Sequence, residues 1–234
     1  MLKAVLFDLD GTLLPMNEEE FLKLYLGLIY KSVAHLGYDK TLIDVILAGT
    51  KKMFKNDGSR SNEQVFWDHF KEVYGEEKVK DKEAFDKFYI TDFKKTQACC
   101  GENKLAREII DYIKGLGLKI ILATNPVFPK VGMVTRLGFV GLKEEDFDYI
   151  TGYENTSFCK CNPKYYQELL EKNNLKSNDV IFFGNNEKDD CENAASVGIK
   201  SYLVGDEVKW SDSDKHFPHL KLDEVIPIIK KLRG

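Results

Sequence analysis

The sequence has 234 residues, of which 43% are apolar and 31% are charged, and its formal net charge is −4. These proportions are typical of a folded globular protein and exclude a disordered chain. The charge balance lacks the basic excess of nucleic-acid-binding proteins, and no apolar run approaches the ~20 residues of a membrane-spanning helix. We therefore expect neither nucleic acid nor a membrane as a partner.

The five cysteines are odd in number and follow no disulfide-framework spacing; they are Cys99, Cys100, Cys159, Cys161 and Cys191. This pattern indicates reduced thiols. The first residues do not resemble a signal peptide, because a short apolar run leads directly into acidic residues. The expected location is the cytoplasm.

The chain opens with an apolar run at residues 4–9, which predicts a buried parallel strand. Residues 17–97 then show helical periodicity, with predicted helices at 17–37, 41–54, 61–75 and 82–93. Asn17 is the expected N-cap of the first helix, and Ser61 with Gln64 forms a predicted capping box. These four helices predict a small bundle inserted after the first strand.

The remainder alternates between strand and helix patterns. Strands are predicted at 119–123, 147–151, 179–183 and 201–204, and helices at 105–116, 162–174 and 191–197. Such alternation predicts an α/β fold with a doubly wound parallel sheet. The predicted organisation is a Rossmann-like core of residues 1–16 and 98–234, with residues 17–97 as an inserted helical cap domain.

Ligands of open parallel sheets bind beyond the carboxyl ends of the strands. The residues expected there, from the strand ends and the loop before the 162–174 helix, are Asp8, Asp10, Thr124, Asn125, Lys160, Asn185, Asp189 and Asp190. Carboxylates, a hydroxyl and an ammonium group at one edge suit a phosphate and a divalent cation.

Asp8 and Asp10 are two apart on extended chain, so their side chains point the same way. One carboxylate can attack phosphorus while the other protonates the leaving oxygen and later activates water. Thr124, the Asn125 amide and Lys160 can stabilise the charge of the transferred phosphoryl group. A hard cation with oxygen ligands would let a carboxylate approach a phosphate.

Four motifs resemble those of the haloacid dehalogenase-like superfamily over about residues 3–204: Phe-Asp-Leu-Asp-Gly-Thr-Leu at 7–13, Ala-Thr-Asn at 123–125, Lys-Cys-Asn-Pro at 160–163, and Phe-Gly-Asn-Asn-Glu-Lys-Asp-Asp at 183–190. The resemblance implies that Asp8 becomes an aspartyl-phosphate. It also implies that Asp8, the Asp10 carbonyl and a fourth-motif carboxylate hold Mg²⁺. The helical insertion resembles the cap of phosphoglycolate phosphatase-like and phosphomutase-like members.

Two positions depart from the family pattern. Asn185 stands where the family usually has aspartate, and Cys161 stands where the third motif usually has proline. A neutral amide at Asn185 should weaken metal affinity by one charge. Asp190 keeps the expected place of the second acidic residue because the following segment then aligns without gaps, although Asp189 could serve instead.

The sequence therefore predicts a magnesium-dependent phosphatase acting on a small phosphorylated metabolite. One alternative is a catalytically weak phosphate-binding protein with a regulatory role, which Asn185 favours. Phosphomutase or dehalogenase activity on the same fold is another, although Asp10 argues against dehalogenation because the second aspartate is typically absent from that branch. Substrate identity and oligomeric state stay open.

Overall fold

The computed structural model describes residues 2–233, so the end residues 1 and 234 of the expected core lie outside it. Six parallel strands form one sheet in the order β3-β2-β1-β4-β5-β6. The strands are β1 Ala4–Phe7, β2 Lys119–Leu122, β3 Tyr149–Ile150, β4 Val180–Gly184, β5 Lys200–Val204 and β6 His219–Leu220.

Helices cover both faces of this sheet. Val5 and Phe7 belong to the hydrophobic cluster on one face, whereas Ala4 and Leu6 belong to the cluster on the other, as the two-residue period of a strand requires. The core helices are α5 Lys104–Gly115, α6 Lys130–Leu137, α7 Lys164–Lys172, α8 Asn193–Ser196 and α9 Val225–Arg233. The predicted α/β class with a doubly wound parallel sheet is confirmed.

Residues 17–97, here called the helical segment, contain the helices α1 Glu18–Val33, α2 Thr41–Phe54, α3 Asn62–Tyr74 and α4 Lys82–Ile90. Asn17 caps α1 by accepting a hydrogen bond from the Glu20 amide. Ser61 and Gln64 form the predicted capping box of α3. A hydrophobic cluster of the helical segment extends into the loop after β2, where Phe128 packs against it.

The segment that follows β4 differs from the prediction. A regular helix was expected at 191–197, but the chain forms a π-helical turn at Glu187–Glu192 before the single turn of α8. A π turn holds one residue more than an α turn, so the chain is wound more loosely here than the expected α-helix.

Two further elements were not predicted. Residues 201–204 were expected to be the last strand, yet β6 pairs with β5 and α9 follows it. β6 has two residues that are not buried, so no apolar alternation marks it in the sequence. α6 lies in residues 126–146, a stretch where no element was predicted. Within residues 2–233, no helix is long and apolar enough to span a membrane.

Candidate active site

The register of the sheet brings the first and fourth motifs together. Phe7 is the last residue of β1 and pairs with Leu122 of β2 and Phe183 of β4. The residues that follow these positions therefore meet at one edge of the sheet. Asp8, Thr124 and Asn185 come from these three strand ends, as the sequence predicts.

Lys160 lies at the centre of a buried charged cluster. Its Nζ is 2.5 Å from Oδ1 of Asp8 and 2.7 Å from Oδ1 of Asp190. All three side chains are more than nine-tenths buried. The loop before α7 supplies the lysine, whose backbone is fixed by hydrogen bonds from its amide to Asn125 Oδ1 and from Asn193 Nδ2 to its carbonyl.

The two carboxylates keep this lysine charged. Burial alone lowers the pKa of Lys160, but Asp190 and Asp8 raise it well above its usual range. Burial raises the pKa of Asp190, which Lys160 partly opposes. A buried ammonium group beside the proposed nucleophile is suited to stabilising negative charge on a phosphoryl group.

Asp10 pairs with an arginine that the sequence analysis missed. Nη1 of Arg136, on α6, lies 2.8 and 2.6 Å from the two carboxylate oxygens of Asp10. The Arg136 side chain is 1% exposed, whereas that of Asp10 is 24% exposed. Burial raises the pKa of Asp10, Arg136 lowers it and Asp8 raises it, with a net upward shift.

Aromatic rings hold the Arg136 guanidinium in place. Its Cζ lies 4.9 Å from the centroid of the Phe128 ring and 5.5 Å from that of Phe21, within range of cation–π attraction. Nη2 contacts the Met133 sulfur at 2.8 Å. A single arginine in α6, a helix that was not predicted, is a weak sequence signal for this contact without the sheet that brings α6 to Asp10.

Thr124 and Asn125 line the same cavity as the cluster, and each has a hydrogen-bond donor that no described protein group accepts. The Thr124 carbonyl accepts hydrogen bonds from the hydroxyls of Thr151 and Tyr165, which fix the turn after β2. Within residues 2–233, neither the Thr124 hydroxyl nor the Asn125 amide N–H donates a hydrogen bond. Both groups are therefore available to an anion, and their role in phosphate binding stays a prediction.

Asn185 is buried, and the loop after β5 orients its side chain. The side-chain Nδ2 of Asn185 donates to the Glu207 carbonyl at 3.0 Å, and the backbone carbonyl of Asn185 accepts from the Lys209 amide at 2.8 Å. The Asn185 side chain lies directly against Gly11, where a Cβ would be only 2.1 Å from Asn185 Nδ2. The φ of +78° at this position also favours glycine.

The π turn separates the two candidate acids of the fourth motif. Asp190 is buried and binds Lys160, and its second oxygen accepts the Asn186 amide at 3.0 Å. The Asp189 side chain is half-buried and lines the cavity above the cluster. The structure thus places Asp190, rather than Asp189, in contact with the residues around Asp8.

The oxygens at this edge fit a magnesium ion. No described backbone N–H donates to the Asp10 carbonyl, and Oδ2 of Asp8 accepts no hydrogen bond within residues 2–233. Hard cations prefer such carboxylate and carbonyl oxygens. The described residues contain no cluster of three His, Cys, Asp or Glu side chains arranged around a metal. A site here would therefore combine Asp8 and Asp190 with the Asp10 carbonyl, and with Asn185 as a further oxygen donor.

A cavity of about 440 Å³ opens onto the cluster. The sheet edge gives it a polar floor that includes Asp8, Asp10, Lys160 and Arg136. The helical segment gives it walls from α1 and α2. The site thus lies between the sheet edge and the helical segment.

Comparison with known proteins agrees with this geometry. Residues 2–198 match the family described as haloacid dehalogenase-like hydrolase, whereas no curated protein matches the sequence significantly. A 2-haloacid dehalogenase from Pseudomonas syringae is 16% identical over 99% of each chain, with a TM-score of 0.67. A HAD phosphatase from Thermococcus onnurineus is 18% identical, with 97% of this chain and 98% of that chain covered and a TM-score of 0.59.

A magnesium-bound HAD-hydrolase from Bacillus subtilis gives a TM-score of 0.57 at 18% identity, over 97% of this chain and 98% of that chain. These identities show a shared fold, and the proteins named differ in their reactions. The family match covers most of the sequence and includes all four motifs that meet at the sheet edge. The chain therefore belongs to the haloacid dehalogenase-like hydrolase family.

Proposed function

We propose that this protein is a magnesium-dependent phosphatase that hydrolyses a small phosphorylated metabolite through an aspartyl-phosphate on Asp8. The observation that carries the proposal is the arrangement around Asp8. Its carboxylate contacts Lys160, and the unused donors of Thr124 and Asn125 lie at the same sheet edge. Asp10 lines the same cavity as the second carboxylate. A nucleophile, anion-binding donors and an acid–base group are thus present together.

In the first step, an Asp8 oxygen attacks phosphorus and the bond from phosphorus to the leaving oxygen breaks. Asp10 donates its proton to that oxygen, so the alcohol departs neutral. The raised pKa of Asp10 favours the protonated acid that this step needs. Lys160, Thr124 and the Asn125 amide stabilise the charge on the transferred phosphoryl group.

In the second step, the Asp10 carboxylate takes a proton from water, and the water oxygen attacks phosphorus. The bond from phosphorus to Asp8 breaks, which releases inorganic phosphate and restores both aspartates. Bound magnesium would neutralise charge between Asp8 and the incoming phosphate. Asp8, Asp190 and the Asp10 carbonyl would hold it. The Bacillus structure described as bound to magnesium supports the choice of metal.

The test is phosphate release from a panel of phosphorylated metabolites, with magnesium and with excess EDTA. We expect turnover that EDTA abolishes and magnesium restores. Asp8→Asn should abolish turnover with little change in melting temperature, because an amide cannot form the acyl phosphate. Asp10→Asn should slow turnover about 10²–10⁴-fold. Hydrolysis by Asp8→Asn near the wild-type rate would disprove the nucleophile assignment.

The same preparation distinguishes the alternatives. Tight phosphate binding without turnover of any ester would indicate the regulatory protein. Chloride release from 2-chloropropionate that is insensitive to EDTA would indicate a dehalogenase. The presence of Asp10 beside Asp8 favours phosphoryl transfer over this last activity.

A further inference from the structure

We infer that the substrate is a phosphate monoester of an apolar alcohol, which binds with its leaving group between α1 and α2. The inference rests on the proposed function and defines its substrate class. In phosphoryl transfer the attacking and leaving oxygens are roughly in line. The leaving group therefore points away from Asp8, toward the walls that the helical segment supplies.

Those walls are mainly apolar. Helix α2 contributes Ile46, Leu47 and Phe54 to the cavity, and α1 contributes Leu22 and Leu26. We call these five side chains the apolar compartment. Val127 and Phe128 of the loop after β2 also line the cavity.

Helix α2 is apolar on more than the face that folding buries. Its buried face consists of Leu42, Val45, Ile46, Gly49 and Met53, and Ile46 borders the cavity as well. Leu47 and Phe54 are seven residues apart, so they share a second face, which lines the cavity. Leu47 also packs against the hydrophobic cluster of the helical segment, whereas Phe54 is 39% exposed, so packing within the protein accounts for only part of this face.

Two members of the compartment are unusually exposed. Leu22 is 45% exposed and Phe54 is 39% exposed, although both are large apolar side chains. Scattered exposed hydrophobic residues are ordinary, but these two line one cavity that continues to the nucleophile. Covering them with an apolar ligand group would release ordered water and favour binding.

The hydroxyl groups near the compartment are already paired within the protein. The Thr50 hydroxyl donates to the Ile46 carbonyl at 2.9 Å, and the Tyr25 hydroxyl pairs with that of Tyr89 at 2.9 Å. Glu18, Lys51 and Lys209 also line the cavity, but Glu18 and Lys209 are paired with each other. Against the apolar compartment itself, a polyhydroxylated leaving group would lose water, at a cost for each hydroxyl that finds no partner. The compartment thus disfavours sugar phosphates and favours alkyl or aryl esters.

The first experiment compares kcat/KM for hexyl phosphate with that for glycerol 3-phosphate and glucose 6-phosphate. All three are esters of primary alcohols, so leaving-group chemistry is matched. We expect a preference for the hexyl ester of about 10–200-fold, the range that small differences in a hydrophobic pocket provide. Equal or faster hydrolysis of the polar esters would overturn the inference while leaving the phosphatase assignment intact.

The second experiment measures binding without turnover. Calorimetry with methyl-, propyl- and hexylphosphonate should show that each additional buried methylene lowers the dissociation constant by up to about fourfold. Leu22→Gln and Leu47→Gln should flatten this dependence. Leu22 is exposed, so its substitution keeps the fold even if that of Leu47 does not.

Leu105→Gln is the matched control, because Leu105 is a partly exposed leucine of α5 that does not line this cavity. It should leave the dependence on chain length unchanged. Equal affinity for the three phosphonates would overturn the inference even if every ester were hydrolysed. Conversely, length-dependent binding in a protein that hydrolyses no ester would reject the phosphatase and keep the apolar compartment.

Discussion

Arg136 of α6 binds both carboxylate oxygens of Asp10 through a single nitrogen, Nη1. This ion pair joins a helix of the core to the loop that follows β1. Asp10 lies beyond the end of β1, so regular strand pairing does not hold it in place. The ion pair fixes the proposed acid–base group instead. The position of Asp10 therefore depends on a residue 126 positions away in sequence.

We expect Arg136→Met to destabilise the protein and to slow turnover. Removing one partner of a buried ion pair lowers the free energy of unfolding by about 3–5 kcal/mol. We expect the lower end, about 3 kcal/mol, because Asp10 is partly exposed. Activity should fall toward that of Asp10→Asn, because the carboxylate loses its fixed position. Chemical denaturation and steady-state kinetics measure the two effects.

Arg136→Lys is the matched control, since it keeps the charge and loses the planar guanidinium. It should retain more stability than Arg136→Met, yet lose contact with the Phe128 ring. A double-mutant cycle with Asp10→Asn isolates the pair. A coupling energy near zero would show that Arg136 acts through packing alone.

We expect Asn185→Asp to tighten magnesium binding, because a hard dication prefers a charged oxygen. The same substitution replaces the amide that donates to the Glu207 carbonyl by a carboxylate oxygen, which repels it. The metal-free protein should therefore melt at a lower temperature. Magnesium titration by calorimetry and thermal melts in EDTA measure both effects.

Asp189→Asn is the comparison for Asn185→Asp. Its carboxylate contacts neither Asp8 nor Lys160 in the structure, so its substitution should weaken magnesium binding less than Asp190→Asn does. If Asp189→Asn were the more damaging change, Asp189 would be the metal carboxylate. An unchanged dissociation constant in Asn185→Asp would place residue 185 outside the metal shell.

We expect the two connections to the helical segment, residues 13–16 and 98–102, to act together as a hinge. They are bonded to each other: the Gly101 amide donates to the Pro15 carbonyl at 2.7 Å, and Met16 and Cys100 form an antiparallel bridge. Closure excludes water from a reactive acyl phosphate. Hydrogen exchange in these connections should slow when orthovanadate and magnesium are added.

The amides of β4 provide the internal reference for that measurement, because every residue of this strand is buried. Protection should change at the connections and stay constant in β4. Identical exchange at the connections with and without orthovanadate would contradict hinge motion. The Glu18–Lys209 ion pair links α1 to the loop after β5 and should break when the segment opens.

We expect Asp146→Asn to lower the melting temperature at neutral pH and to matter less in acid. Hydrogen bonds from Arg107, joined by Lys114, hold the pKa of Asp146 well below its usual range. A depressed folded-state pKa gives stability that is present above the unfolded value of about 3.9 and is lost as pH falls further. The difference from wild type should be constant from pH 7 to about pH 5 and shrink below about pH 4.

Asp111→Asn is the control, because Asp111 also pairs with Arg107 but is 58% exposed. Its effect should be that of a surface ion pair, about 0–1 kcal/mol. A melting difference for Asp146→Asn that did not change between pH 7 and pH 3 would show that Asp146 contributes through packing rather than charge.

The parallel sheet and the site at its edge could be predicted because short apolar runs ended at polar residues. Asp8 and Thr124 directly follow such runs, and the pairing of β1 with β2 then brings them together. The capping box at Ser61 was also predictable, because it depends on residues only three positions apart. These features follow from local patterns and from the edge rule for parallel sheets.

The contributions of Arg136 and the π turn could not be predicted in the same way. Arg136 reaches Asp10 only after α6 packs near the carboxyl end of β1, and no short-range pattern specifies that packing. The π turn differs from an α-helix by a single residue, which hydrophobic periodicity over so few positions does not register. The sequence left Asp189 and Asp190 as alternatives for the metal carboxylate, and in the structure it is Asp190 that forms an ion pair with Lys160.

The π turn at Glu187–Glu192 determines which of two neighbouring acids faces the charged cluster. A π turn is wider than an α turn by one residue, so it sets its side chains at different angles from those of an α-helix. Asp190 lies on the inner side, where it is 1% exposed and bonded to Lys160, whereas Asp189 faces the cavity. Shortening this turn by one residue would therefore rotate Asp190 away from Lys160.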